Sequence, residues 1–332
     1  MRLIVDAMGG DHAPEQIVLG AVRGIAQLSD AELILTGDES AIRSVFEKNG
    51  LSMDRVTVVH APSVIGMEED PLCILKSKRD SSMAMGLSLL RDGKGDAFLS
   101  AGSTGALVLG ASSRIYKVRI PKIRRCAIGT ILPLAKPTLL LDSGANIELS
   151  PEEMVQFAHM GRAYMKGVYS LEEPSIGLVN NGAEETKGSA LYVESHRLLK
   201  EEKEISFIGN VEGRDIPLGK ADVILCDGFV GNVILKLSEG FGKFIGKELK
   251  QMLKGFRGTL AALLIASDLK RFKKRLSYEK HGGAPILGTI RPVIKAHGSS
   301  KATAIENAVL QAEKCYRSGV CNWIADAVEN KE

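Results

Sequence analysis

Short apolar runs recur along the chain and alternate with longer amphipathic segments. The runs Leu3–Val5, Glu32–Thr36, Val56–Val59 and Asp96–Leu99 are mostly apolar and end at polar or glycine positions. That pattern predicts buried strands. Further strands are expected over Ala127–Leu132, Thr138–Leu141, Ile176–Val179, Ile205–Ile208, Val223–Cys226 and Pro292–Ala296. Apolar positions at helical spacing predict helices over Glu15–Gln27, Glu39–Lys48, Pro151–Lys166, Ser189–Leu199 and Ala302–Arg317. Pro71 opens a helical segment expected to reach about Leu90, and a long helical pattern follows Asn232 to about Lys254. Ser150 with Glu153 three positions on is a capping box. The opening order is βαβαβ, for which parallel pairing with right-handed crossovers is the expectation.

Polar and small residues gather where the runs stop. Ala221–Lys236 reads ADVILCDGFVGNVILK: a short strand, a turn with Gly228 and Gly231, then apolar positions on one helix face. Asn232 stands where an N-cap or a ligand-facing amide would be. Similar ends occur at Asp6–Asp11 (DAMGGD), Ser100–Ala106 (SAGSTGA), Asp142–Asn146 (DSGAN), Asn180–Gly188 (NNGAEETKG) and Lys295–Ser300 (KAHGSS). Backbone N–H groups and hydroxyls at a helix N-terminus suit an anion, and in an open α/β sheet such turns are expected to line one crevice. Each turn alone could equally just close the fold. Gly102, Ser103, Thr104, Asn146, Asn181, Gly228, Gly231, Ser299 and Ser300 are the candidate anion contacts, with Lys187 and His297 as the chemically active groups.

No G-x-G-x-x-G or G-x-x-x-x-G-K-[ST] occurs at these turns, so neither a dinucleotide nor a Walker-type nucleotide site is supported, and no cofactor is expected. H-E-x-x-H, G-x-S-x-G and a clustered metal-ligand set are likewise missing from the sequence pattern.

Composition narrows the field. With 332 residues and 45% hydrophobic content, the chain can bury a large core. A net charge of +3, one Trp and 5% aromatic residues give no reason to expect nucleic acid. Five cysteines without C-x-x-C spacing suit a reducing cytoplasm. The N-terminus reads as a first strand rather than a targeting segment, and no apolar run approaches the ~20 residues of a membrane span.

Charge is unevenly spread. Arg114–Arg125 holds six basic residues, among them Arg114, Arg119 and Arg124; it is either a solvated loop or a docking surface for something acidic. Phe241–His281 carries a local balance of +8, which leaves −5 for the remainder. Within it, the almost unbroken apolar Leu260–Ala266 precedes the basic Lys270–Arg275, which includes Arg271 and Lys274. Such a segment, 240–281, reads as a helical hairpin inserted in a single α/β domain spanning 1–332. It could meet a membrane surface, bind a partner or pair two subunits.

Seven blocks, DAMGGDHAP, SAGSTGAL, DSGAN, NNGAEETKG, DVILCDGFVGNVILK, GGAPILG and KAHGSS, occur in order over Asp6–Ser300. In this order they resemble the PlsX family of bacterial acyl-acyl-carrier-protein:phosphate acyltransferases. Ser103 departs from the family block, which has Asn there, and the NNGAEETKG loop varies in its acidic positions. The resemblance implies a Rossmann-like three-layer α/β/α fold, similar to phosphotransacetylase and the isocitrate dehydrogenase group, and a homodimer built partly from the helices after Asn232. It implies acyl transfer from acyl carrier protein to inorganic phosphate in phospholipid synthesis. It also implies a cytoplasmic enzyme that attaches peripherally to the membrane, where a downstream acyltransferase takes the product. On that reading Lys187, Ser299 and Ser300 hold phosphate, and His297 polarises the carbonyl or protonates the leaving thiolate. Asn232 and the Gly228–Gly231 amides hold oxyanion or phosphate, and Asp227 orients a Lys or His. Arg114, Arg119, Arg124, Arg271 and Lys274 dock the acidic carrier. A coenzyme A-dependent phosphotransacetylase and a non-catalytic membrane scaffold are the alternatives.

Overall fold

The computed structural model describes residues 1–276 and 282–329. Its strands are β1 (Arg2–Asp6), β2 (Glu32–Gly37), β3 (Val56–His60), β4 (Ala97–Ser100), β5 (Ala127–Pro133), β6 (Pro137–Leu141), β7 (Ser175–Asn180), β8 (Ser206–Glu212), β9 (Val223–Leu225), β10 (Ala284–Leu287) and β11 (Val293–Lys295). Its helices are α1 (Glu15–Ala26), α2 (Glu39–Asn49), α3 (Ser82–Arg91), α4 (Thr104–Ser112), α5 (Pro151–Tyr169), α6 (Ala190–Glu201), α7 (Gly228–Met252), α8 (Gly255–Leu264), α9 (Ala266–Leu276), α10 (Ala302–Arg317) and α11 (Val320–Glu329).

The strands form one sheet in the order β3-β2-β1-β4-β11-β10-β5-β6-β9-β7-β8. Most neighbours are parallel. β10 is antiparallel to β11 and to β5, and β5 is antiparallel to β6. The group β6, β9, β7 and β8 therefore runs opposite to β1–β4 and β11.

Strand alternation builds the layers. Leu3 and Val5 point into a core shared with Ile17 of α1, Phe157 of α5 and Ile305 of α10, while Ile4 between them packs with Phe98 and with Met83 of α3. A third cluster, Leu140, Ile224, Val211 and Cys226, is covered by Val230, Ile234 and Leu235 of α7. Helices thus cover both faces of a mostly parallel sheet, the expected α/β/α arrangement.

Several boundaries differ from expectation. The predicted Pro71–Leu90 helix is a 3-10 turn, Pro71–Leu75, followed by α3, because the Ser81 side chain caps a new helix start at Ala84 N. The predicted loop after Ile208 continues as β8 to Glu212. β10 and α11 were not anticipated: Gly, Pro and a four-residue length hide the first, and the second follows α10 after only Ser318 and Gly319. The N-cap position of α1 is Pro14. The Ser150–Glu153 capping box forms as read.

α7 departs most. It begins at Gly228, not after Asn232, because Asp227 Oδ1 accepts the Phe229 and Val230 N–H groups at 2.9 Å each. Gly228 and Gly231 lie inside the helix. A Cβ on Gly231 would stand 1.8 Å from the Asp142 carbonyl oxygen, and one on Gly228 2.8 Å from the Asn146 backbone. These glycines admit close backbone packing rather than a turn. The segment read as a hairpin over 240–281 holds the end of α7, then α8 and α9, with 277–281 outside the described residues.

Candidate active site

The polar strand ends form two clusters rather than one, because the two strand groups run in opposite directions. The first joins the ends of β1, β4 and β11. Asp6 is 1% exposed; its Oδ2 accepts the Ser100 hydroxyl at 2.7 Å and its Oδ1 the Met8 N–H at 3.2 Å. Burial raises its pKa against these bonds. A Cβ on Gly10 would lie 3.0 Å from the Gly298 carbonyl and 3.1 Å from Ala101, so the three turns touch. Lys295, paired with Ser100 in register, is 7% exposed. Its Nζ donates to the Ala101 carbonyl at 3.3 Å and to the Ala296 carbonyl. Burial pushes its pKa down to about 8, opposed by the charges of Asp6 and Asp11.

His297 stands exposed at the lip of this cluster. Its Nδ1 accepts the Ser299 N–H at 3.2 Å and lies 2.9 Å from the Ser299 hydroxyl. That places the proton of the neutral ring on Nε2. Desolvation, then Lys295 and Lys236, lowers its pKa. Ser299 is thus engaged with His297, and Ser300 is buried with its N–H on the His297 carbonyl.

The second cluster joins the ends of β6, β7 and β9. Asp142 is fully buried, and its carboxylate accepts N–H groups from Ile128, Gly144, Ala145 and Asn146 and from the Asn146 side chain, all at 2.8–3.1 Å. Burial nonetheless raises its pKa. The Asn146 amide also donates to the Cys126 carbonyl at 2.8 Å, and Gly228 N–H donates to the Asn146 carbonyl at 2.6 Å. Gly231 N–H is taken by the Asp227 carbonyl. Asp227 Oδ2 accepts the Tyr192 hydroxyl at 2.6 Å, and burial with this bond raises the Tyr192 pKa. Asp227 therefore holds a tyrosine and a helix start where a Lys or His was expected. Asn232 is exposed on α7 beside Gly144. Asn181 and Lys187 lie on the exposed loop after β7, which Asn180 closes by donating to the Lys187 carbonyl at 2.9 Å.

The clusters meet across a crevice of about 590 Å³. Thr104 and Gly105 line it together with Gly144, Ala145, Asn146, Arg124 and Arg125, whereas His297, Lys187, Asn232 and Ser300 are not among its lining residues. Thr104 is exposed there, whereas Ser103 caps α4 through its hydroxyl oxygen, 3.5 Å from Ala106 N. Arg124 reaches Glu152 at 3.4 Å and Arg125 reaches Glu153 at 3.1 Å. The Arg119 guanidinium donates to the Arg124 carbonyl and so braces the rim. Arg114 lies exposed further along the same loop. Arg271 and Lys274 lie on α9, where Arg271 pairs with Asp268. A second link between the halves is electrostatic: Lys236 and Glu239 of α7 act on His297.

Sequence reasoning missed Lys295, Asp6 and Arg125 as site residues. Lys295 and Asp6 read as ordinary strand ends, and only the burial of both around one glycine junction distinguishes them. His159, Glu202 and Glu204, far apart in sequence, bring possible metal-ligand atoms within 4.8 Å of one another. His159 and Glu202 line a different pocket, beside α5 and α6.

A family model described as fatty acid synthesis protein matches residues 1–323. The chain is 46% identical to the phosphate acyltransferase of Thermoanaerobacter pseudethanolicus, covering 99% of this chain and 98% of that protein. It is 42% identical to that of Acetivibrio thermocellus, covering 100% and 98%. Among solved structures, a phosphotransacetylase from Streptococcus pyogenes aligns with a TM-score of 0.63 at 16% identity, covering 96% of this chain and 94% of that one. A phosphotransacetylase from Staphylococcus aureus aligns at 0.61, also at 16% identity, with the same coverage. These two show the fold. Full-length identity above 40% shows more: the chain belongs to the PlsX family of fatty acid synthesis proteins and is an enzyme of the phosphate acyltransferase type.

Proposed function

We propose that the enzyme converts acyl-[acyl-carrier-protein] and inorganic phosphate into acyl phosphate and free carrier protein, for phosphatidic acid synthesis. The observation that carries this reading is the crevice between Thr104–Gly105 and Gly144–Asn146, rimmed by Arg124 and Arg125, in a chain of the phosphate acyltransferase family.

A phosphate oxygen attacks the thioester carbonyl, a tetrahedral oxyanion forms, and the carbon–sulfur bond breaks as the thiolate leaves with its electron pair. Phosphate is nucleophilic at neutral pH, so no covalent enzyme intermediate is needed. Rate comes from holding the reactants together and stabilising the oxyanion. His297 is neutral at pH 7 with Nε2–H outward, suited to donate to the carbonyl oxygen. Lys187, Ser300, Thr104 and Asn232 are assigned to phosphate, with Lys295 as the buried positive charge behind them. Asp227, through Tyr192 and the α7 N-terminus, positions Asn232. Gly102, Asn146, Asn181 and Ser299 shape the turns, and Gly228 and Gly231 let the start of α7 pack against the Asp142–Asn146 backbone.

The basic loop with Arg114, Arg119 and Arg124 is assigned to the acidic carrier protein, beside the crevice that its prosthetic arm must enter. The exposed apolar stripe of α7, including Phe229, Val233 and Phe244, is assigned to a homodimer. The exposed Leu263 and Leu264 beside basic α9, with Arg271 and Lys274, are assigned to a membrane surface, where the downstream acyltransferase acts. No helix among the described residues is long and apolar enough to cross a membrane.

The test is phosphate-dependent release of free thiol from palmitoyl carrier protein, compared with palmitoyl-coenzyme A. Preference for the carrier substrate supports the reading. Preference for coenzyme A would favour the phosphotransacetylase alternative that the fold neighbours raise. No phosphate-dependent thiol release with either would overturn it.

A further inference from the structure

We propose that the groove between α7, the β5–β6 hairpin and the turn after β8 is the acyl-chain subsite, and that it takes a linear saturated alkyl tail. This inference rests on the acyltransferase reading above. The groove encloses about 810 Å³ and is walled by Leu132, Ile216, Ile234, Leu235, Phe241 and Ile245, with few polar groups. From Ile234 to Ile245 the helix advances about 16 Å at 1.5 Å per residue, the span of an extended chain of about a dozen carbons. The length and the mainly apolar lining suit an alkyl chain; the groove is wider than one chain, and Ser238, Glu239 and Lys243 also line it.

Its position fits the chemistry. Ile234 lies two residues beyond Asn232. Glu239 lines the groove and also acts electrostatically on His297. A thioester carbonyl beside His297 would therefore send its tail along α7. Leu237, Phe241 and Ile245 are 59%, 56% and 42% exposed, apolar area that a bound tail would cover. The groove is floored by the buried Leu132 and Ile216, and the exposed Val233 and Phe244 lie on the same helix face as its rim residue Leu237. A second copy of the chain covering this groove is the competing occupant.

The experiment compares kcat/KM for butyryl, octanoyl, dodecanoyl and palmitoyl carrier protein in the wild type and in Ile216→Trp and Leu237→Trp. Leu237 is at the exposed rim, so its variant folds even if the floor variant does not. The wild type should gain up to about four-fold per added methylene until the groove is full. Both variants should lose the long-chain advantage by ten-fold or more while keeping the butyryl rate. An unchanged chain-length profile, or equal loss at every length, overturns the proposal. So does a Leu237→Trp variant that weakens a dimer in light scattering without altering the profile. If the wild type turns over no thioester, the transferase reading fails by itself. The groove is then judged by a fluorescent fatty-acid probe displaced by dodecanoate: binding lost in Leu237→Trp supports it, and binding that is absent or insensitive to the variant overturns it.

Discussion

The two strand-end clusters share a plan and differ in how their carboxylates are satisfied. Asp6 and Asp142 both end or follow a buried strand beside a glycine turn, and burial raises the pKa of each. Asp142 gathers five N–H donors and no cation, so it is a closed knot that ties β5, β6 and the DSGAN turn together. Asp6 accepts the Ser100 hydroxyl and the Met8 N–H, and shares its junction with a buried lysine whose Nζ donates to two backbone carbonyls among the described residues. One cluster is complete without a ligand. The other holds a buried lysine, acted on by the charges of Asp6 and Asp11, two residues from the exposed His297. Buried polar groups that saturate one another serve structure, while those left partly compensated mark where a ligand acts.

The comparison predicts different failures. Asp142→Ala should cost most, about 3–5 kcal/mol in urea unfolding, because it strands several buried N–H groups; a loss below 1 kcal/mol would show that the knot is not structural. Gly231→Ala should cost about 1–3 kcal/mol, since its Cβ would overlap the Asp142 carbonyl. A variant as stable as the wild type would mean α7 can slide away from β6.

Lys295→Met should instead spare the fold and reduce kcat/KM by about a hundred-fold, a loss of about 2.7 kcal/mol of transition-state stabilisation. It also has a pH signature. The lysine's folded pKa, about 8, lies below its unfolded value of 10.5, so its contribution to stability is fully present above pH 10.5 and is lost as pH falls through 8. Wild type should gain stability relative to the methionine variant, by up to about 3 kcal/mol, between pH 8 and 10.5. Parallel stability curves would place the amine in water. Arg124→Glu should have the smallest effect on stability, under about 1 kcal/mol, because its pair with Glu152 is exposed. Its effect should appear as a raised KM for carrier protein with kcat unchanged; an unchanged KM removes the docking assignment.

Much of the fold was legible because strand and helix periods are local properties. β1, α1, β2, α2 and β3 formed within a residue or two of their expected limits, and α10 matched its range. The boundaries that moved were set by side chains acting at a distance or by competing caps: Ser81 split one helix and Asp227 started another early. Strand direction could not be read. It turns on the antiparallel β5–β6 pair, which reverses β6, β9, β7 and β8, while β10, antiparallel to both β11 and β5, leaves those two parallel to each other. The site was legible in part. Glycine, hydroxyl and His297 positions stood out by composition, and the block order led to the family. Ser103, Asn146 and Asp227 proved to spend their polar atoms on caps and turns.

The sequence by itself determined the elements, the α/β class and the places where polar turns fall. Those follow from periodicity, capping and turn chemistry within a few residues. Only the tertiary structure decided that those turns form two clusters, that Lys295 is buried beside Asp6, and that α7 leaves an apolar groove next to its N-terminus. Each of these depends on residues up to about 290 positions apart meeting across one sheet, and burial, which sets both pKa and the cost of an unpaired charge, exists only after they have met.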